Sequence, residues 1–232
     1  MDLSRRSTAP ELMDDAGLDD AEYARCLRDL AAVNRLTATH RPTLAWLDRA
    51  VRRLPPDTPV SILDVASGQG DLLRAIRRWA GRRGITARLE GIDLNPRSAR
   101  EAAAATDPAS EITWRTGDVF AYAPQPPPDF IVSSQFVHHL DDAGVVRFLR
   151  WLDRHAARGW LIADLQRHAF AYHGFPLLAR VAFWHRIVRL DGAVSIARGF
   201  RRADWLRYLE SAGLTADITW KVPFRWSVGL LK

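Results

Sequence analysis

Ile62-Leu-Asp-Val-Ala-Ser-Gly-Gln-Gly-Asp71 is the stretch on which the reading of this chain turns. Val60 to Val65 is a short apolar run bounded by turn residues, the pattern of a strand buried on both faces of a parallel sheet. Gly68 and Gly70 let the backbone turn tightly and let a ligand come close to it. Leu72, Leu73, Ile76 and Trp79 then recur at helical spacing, so the loop feeds a helix N-terminus whose free amides favour electronegative groups. Asp64, an acid on the strand just before the loop, suits a ligand that carries a positive ammonium group.

The same rhythm continues on the C-terminal side. Strands are predicted at Arg88–Asp93, Ile112–Thr116, Phe130–Ser134 and Trp160–Asp164, with helices at Pro96–Ala105 and after Asp141 or Asp142. Alternating strands and helices predict an α/β fold with a doubly wound, mostly parallel sheet. The rhythm breaks at His168–Leu190, which holds no strand; a helix opening at Pro176 is predicted there, on the face where such sheets bind ligands. A helix at Arg202–Ala212 ends at Gly213, and two strands near Thr215–Val222 and Phe224–Leu231 bring the total to seven. Their short Val222-Pro-Phe224 link suits an antiparallel pair. On the N-terminal side, helices are predicted from Asp20 and after Pro42, and residues 1 to 18 read as a loose arm. The chain thus divides into an N-terminal helical arm (1–57), a ligand-binding core (58–167), a helical cap (168–200) and a C-terminal helix with strand pair (201–232).

A dinucleotide-binding loop is the rival reading, but its G-x-G-x-x-G/A fingerprint places a large Leu73 at the third small position. Asp64-Val-Ala-Ser-Gly-Gln-Gly70 instead resembles the first motif of class I S-adenosylmethionine-dependent methyltransferases, of the small-molecule branch found in quinone biosynthesis and natural-product pathways. Ala66 stands where that family usually has its first glycine. The resemblance implies a Rossmann-like methyltransferase fold and S-adenosylmethionine as cofactor. It implies cofactor contacts from Asp64, Ala66, Gly68 and Gly70, from Asp93 at the ribose hydroxyls, from Leu94, from Asp118 with Val119 at the adenine, and from Ser134. An acceptor-only carboxylate suits paired hydroxyls.

In that family the segment after the fourth strand, Ser133-Ser-Gln-Phe-Val-His-His-Leu-Asp141, lies beside the transferred methyl group. His138 and His139 are therefore candidate bases for ionising a phenol or enol, with His139 preferred. Arg35, Gln135, His168, Tyr172 and Trp184 are candidate substrate contacts, and the aromatic cap suits a flat, apolar molecule. The implied activity is O-methylation of a phenolic, quinol or polyketide-like small molecule; C-methylation of a similar aromatic carbon needs nearly the same site.

Bulk properties narrow the alternatives. Net charge is +6, yet the only lysines are Lys221 and Lys232, and the arginines are scattered rather than gathered in a stripe. With no appended RNA-binding module and no Asn/Asp-Pro-Pro-aromatic motif, a nucleic-acid methyltransferase is disfavoured and no nucleic-acid partner is expected. A non-enzymatic binding protein would not require the loop and all three acids. One cysteine, Cys26, excludes an internal disulfide and a zinc framework, and no acidic and His cluster at ligand spacing is evident, so no metal is expected. Neither a secretory signal nor an apolar run of membrane-spanning length is present, which points to the cytoplasm.

Overall fold

The computed structural model describes residues 2–15 and 17–232. Two helices, α1 (Asp20–Leu36) and α2 (Arg41–Val51), precede the sheet. There follow β1 (Val60–Val65), α3 (Asp71–Arg82), β2 (Ala87–Asp93), α4 (Pro96–Ala104), β3 (Ile112–Thr116), β4 (Phe130–Ser134), α5 (Asp142–His155) and β5 (Gly159–Leu165). Three helices come next, α6 (Ala169–Val181), α7 (Arg186–Arg198) and α8 (Arg202–Ala212), and the chain closes with β6 (Asp217–Lys221) and β7 (Arg225–Leu231). The seven strands run in the order β3-β2-β1-β4-β5-β7-β6. β1 to β5 are parallel, and β7 lies antiparallel to both β5 and β6.

Side-chain alternation along β1 sorts the core into two layers. Val60 and Ile62 face α2 and α3, where they pack with Trp46, Leu47, Leu73 and Ile76. Leu63 and Val65 face α5 and α8, where they pack with Phe148, Leu149, Trp205 and Tyr208. Asp64 therefore points to the α2–α3 side, at the end of the central strand. Capping follows the sequence: Asp141, not Asp142, caps α5 by accepting from the Gly144 amide.

Two expectations change. Pro176 lies inside α6 and does not open it; the helix begins seven residues earlier because the His168 side chain accepts the Phe170 amide and supplies an N-cap. The first residues are not a loose arm. Arg6 reaches the carbonyls of His138, Leu140 and Arg198 and stacks over Phe200. Arg198 returns a bond to the Ala9 carbonyl, and Asp191 accepts the amides of Leu12 and Met13.

Trp114 on β3 crosses its neighbour Gly91 on β2 and reaches Gly70 at the start of α3. A Cβ on Gly91 would lie 2.8 Å from the Trp114 ring, and one on Gly70 would lie 2.1 Å from it. At Gly68 a Cβ meets nothing within 4 Å, and only its φ of +51° opposes substitution, a cost of roughly 1–2 kcal/mol. Gly70→Ala and Gly91→Ala should thus each destabilise the protein more than Gly68→Ala does, as measured by urea unfolding of the three variants.

Candidate active site

A cleft of about 640 Å³ opens at the carboxyl ends of β1 and β4, where the strand order reverses and parallel sheets bind ligands. Asp64, Ala66, Gly68, Ser134 and Gln135 form its floor. Apolar side chains of α6 and α7, among them Phe175, Leu178, Val188 and Ile196, form its roof. Residues of α1 and the N-terminal segment close the sides.

The loop between β1 and α3 is held from β2. The amides of Ala66 and Ser67 both donate to the Ile92 carbonyl, at 2.8 and 3.2 Å. The Gly68 amide donates to Asp93 Oδ2 at 2.8 Å, and the Asn95 amide to Asp93 Oδ1 at 2.9 Å. Burial raises the Asp93 carboxyl in spite of those amides. Ala66 sits at φ +58°, so the family glycine it replaces answers to a left-handed backbone, and not only to small size.

Asp64 is 2% exposed and lines the cleft, and no hydrogen-bond donor among the described residues reaches its carboxylate. Burial, reinforced by the charges of Asp71 and Asp93, pushes its pKa well above the ordinary carboxylate value. Asp71 fares differently: despite burial, His40 Nε2 at 3.0 Å, Asn34 Nδ2 at 2.9 Å and the charge of Arg74 hold its pKa down. Gln135 Nε2 donates to Asn34 Oδ1 at 2.6 Å, joining the end of β4 to this network.

The opposite corner holds the histidines. His138 is buried, with Nδ1 2.7 Å from Asp164 Oδ1 and Nε2 3.6 Å from Glu11 Oε1. Burial alone would lower its pKa, but Asp164 and Glu11 outweigh it and raise the imidazole to about 9. Burial likewise opposes ionisation of Glu11, yet the two histidines and Ser195 bring it down to about 2. His139 is the more open ring, its Nε2 3.8 Å from Glu11 Oε2 and its Nδ1 3.3 Å from Asp14 Oδ2.

Of the residues singled out from sequence, the cleft brings together Asp64, Ala66, Gly68, Ser134, Gln135, His138 and His139. The others lie off its lining. Gly70 faces Trp114. Asp93 turns to the loop amides, Leu94 is exposed, Asp118 caps a short turn at the Phe120 amide, and Val119 is buried in the core. Arg35 is exposed; one residue earlier on α1, Asn34 takes the inward position. His168 stacks on Phe224, Tyr172 meets His173 edge to face, and Trp184 stacks on Phe175. Glu11 was not anticipated, because it belongs to the segment read as a loose arm. The absence of any acidic and His cluster, expected from sequence, is corrected by it: donor atoms of Glu11, His138 and His139 lie within 4.8 Å of one another.

Residues 62–159 match the sequence profile of the family described as "Methyltransferase domain". No curated protein matches the sequence. Similar folds occur among solved structures. The plantazolicin methyltransferase BpumL, in complex with a monoazolic desmethylPZN analog and SAH, superposes with a TM-score of 0.65 at 14% identity, covering 91% of this chain and 95% of that one. Human N-acetylserotonin methyltransferase in complex with SAM gives 0.63 at 14%, over 92% and 56%. Magnesium protoporphyrin IX methyltransferase (ChlM) from Synechocystis PCC 6803, with bound SAH, gives 0.56 at 13%, over 95% and 90%.

The buried histidine makes stability depend on pH. Its folded pKa of about 9 exceeds the ordinary 6.5, so its contribution is complete below 6.5 and is lost as pH rises through 9. Glu11 mirrors it, contributing fully above 4.5 and losing its contribution as pH falls toward 2. Urea unfolding should show a loss of a few kcal/mol between neutral pH and pH values above 9. Asp164→Asn should flatten that alkaline limb.

Proposed function

Residues 62–159 match a methyltransferase domain, and on that footing we propose that this chain is a class I S-adenosylmethionine-dependent methyltransferase that methylates a hydroxyl oxygen of an apolar phenolic, quinol or polyketide-like small molecule. One observation carries the reading of the site. Asp64 is a buried carboxylate with no donor among the described residues, placed beneath a glycine loop on the floor of a cleft. An unpaired buried anion is costly, and an ammonium group relieves it. The amino-acid end of S-adenosylmethionine carries such a group, so Asp64, Ala66 and Gly68 fit that end. Asp93 uses each carboxylate oxygen for one amide, which leaves acceptor capacity for ribose hydroxyls. Asp118 with Val119 and Leu94 would take the adenine side.

When bound, the cofactor supplies an electrophilic sulfonium methyl for in-line attack. The chain's own part is to bury an acceptor against it and to ionise the attacking hydroxyl. His138 is ill suited to accept that proton, since it is buried and held as an imidazolium between Asp164 and Glu11. His139 is the ring that opens to the cleft and is the proposed acceptor, with Glu11 and Asp14 beside it.

The apolar substrate class is supported by the roof. Phe170, Leu177, Leu178 and Val181 of α6 line the cleft and remain exposed at its mouth. The similar structures named above belong to enzymes whose named substrates are small molecules. No helix among the described residues is long and apolar enough to cross a membrane, and a cytoplasmic location belongs to the same reading.

Calorimetry with S-adenosylhomocysteine, with NAD and NADP as controls, tests the cofactor assignment. Asp64→Asn should raise thermal stability while weakening S-adenosylhomocysteine by about 1.5–3 kcal/mol, the range for a hydrogen bond to a charged group. Unchanged affinity in that variant would remove Asp64 from the site. For the substrate, turnover of a panel of phenols and quinols should give products heavier by one methyl group. With an active panel member, His139→Ala should lower kcat and shift the pH–rate profile while sparing cofactor affinity. A panel yielding no methylated product would count against the substrate class.

A further inference from the structure

The histidine corner has a geometry that proton transfer does not require. Both imidazoles present Nδ1 to an outer carboxylate, His138 to Asp164 at 2.7 Å and His139 to Asp14 at 3.3 Å. Both turn Nε2 toward the same inner carboxylate, at 3.6 Å from Glu11 Oε1 and 3.8 Å from Oε2. Those separations exceed hydrogen-bond length. They approach the spacing of two ligands that share one ion: donors held tetrahedrally at 2.0–2.1 Å lie about 3.4 Å apart. We propose that Glu11, His138 and His139 form a binding site for a divalent transition-metal ion of the zinc, cobalt or manganese kind.

The surroundings match such a site. A ligating histidine characteristically gives its other ring N–H to a carboxylate, which fixes the tautomer and points the Nε2 lone pair at the ion. Asp164 is the accepting carboxylate for His138, and Asp14 stands in the same relation to His139. Ser195 Oγ donates to Glu11 Oε1 at 2.9 Å and fixes the inner carboxylate. The guanidinium groups nearby, Arg6 and Arg198, are engaged by the carbonyl oxygens of His138, His139 and Leu140. Two imidazoles and one carboxylate form a donor set suited to first-row divalent ions. All three residues line the cleft, so a further coordination position faces the space for substrate. An ion there takes the place of the positive charge that the His138 proton otherwise supplies.

The consequence rests on the methyl-transfer reading: a hydroxyl coordinated to the ion would release its proton to solvent more readily, and His139 would serve as ligand in place of base. Binding itself does not rest on that reading. Full-length protein stripped with chelator should be titrated with Co²⁺, following visible d–d absorption, and with Zn²⁺ by calorimetry. The expected result is stoichiometric binding with the absorption of a low-coordinate nitrogen and oxygen site. Glu11→Gln and His139→Ala should abolish those bands or weaken the ion at least tenfold, and Asp164→Asn should weaken it about 10–100-fold. His173→Ala, on the exposed face of α6, should change nothing. Absence of bands in the wild-type protein, or their persistence in both ligand variants, would overturn the proposal. S-adenosylhomocysteine binding, measured on the same samples, verifies that each variant is folded. It also separates the two ideas: a protein that binds S-adenosylhomocysteine but no Co²⁺ loses the ion and keeps the methyltransferase site, and the reverse result keeps the ion and discards that reading of the cleft.

Discussion

A carboxylate buried at the end of the central strand needs a cation, and the described residues supply none to Asp64. The sheet puts it there. β1 has neighbours on both sides, alternation sends residue 64 toward α2 and α3, and the reversal of strand order beside β1 opens the cleft above it. Three acids converge on this region, and two are provided for. Asp71 has His40 and Asn34, and Asp93 has the amides of Gly68 and Asn95. Asp64 is left with desolvation and the repulsion of its neighbours. Stability is conceded at this position, and strongly perturbed groups of this kind cluster at functional sites.

The glycine loop is the second half of that arrangement. Its shape is imposed from β2, whose Ile92 carbonyl and Asp93 carboxylate capture three successive amides of residues 66–68. The loop is thereby fixed before any ligand arrives. Trp114 braces its far end, which explains why Gly70 and Gly91 must both lack a side chain although they lie on different elements. Residues that resemble a ligand-binding motif are thus shared between two tasks: Gly68 and Ala66 face the cleft, and Gly70 makes room for an indole.

This sharing marks the boundary of what the sequence disclosed. Strand periodicity, glycine turns and helix caps are local signals, and the seven strands with their antiparallel closing pair followed from them. The acid before the loop was legible for the same reason. Side-chain direction was harder. Arg35 and Asn34 are adjacent in sequence, and about 100° of helical rotation decides which one meets the cleft. His168 at an N-cap position also went unrecognised, because Pro176 carries the stronger start signal in a sequence taken alone. Glu11 could not be read at all. Its role comes from contacts with α7 and with the turn after β4, far away in the chain, and nothing in residues 2–15 announces them. Arg6 and Arg198 are the physical link, each spending a guanidinium on backbone carbonyls to tie that segment down.

The tie has a chemical consequence. Without the N-terminal segment, the cleft would present two histidines, one of them backed by the buried Asp164, beneath an apolar roof. With it, Glu11 enters the corner and the balance of charge changes. Glu11 adds to Asp164 in favouring the His138 imidazolium, and His139 is the more open ring of the pair. The cleft then has three distinct regions. Asp64 and the loop lie at one end, a charged histidine corner at the other, and the aliphatic and aromatic face of α6 and α7 lies over both. The Asp64 end suits a cationic group, and the space between the histidine corner and the roof suits an apolar body with a polar group at one end. The same segment that completes the corner also walls the cleft, so the ordering of residues 6–13 and the electrostatics at His139 are two results of one set of contacts.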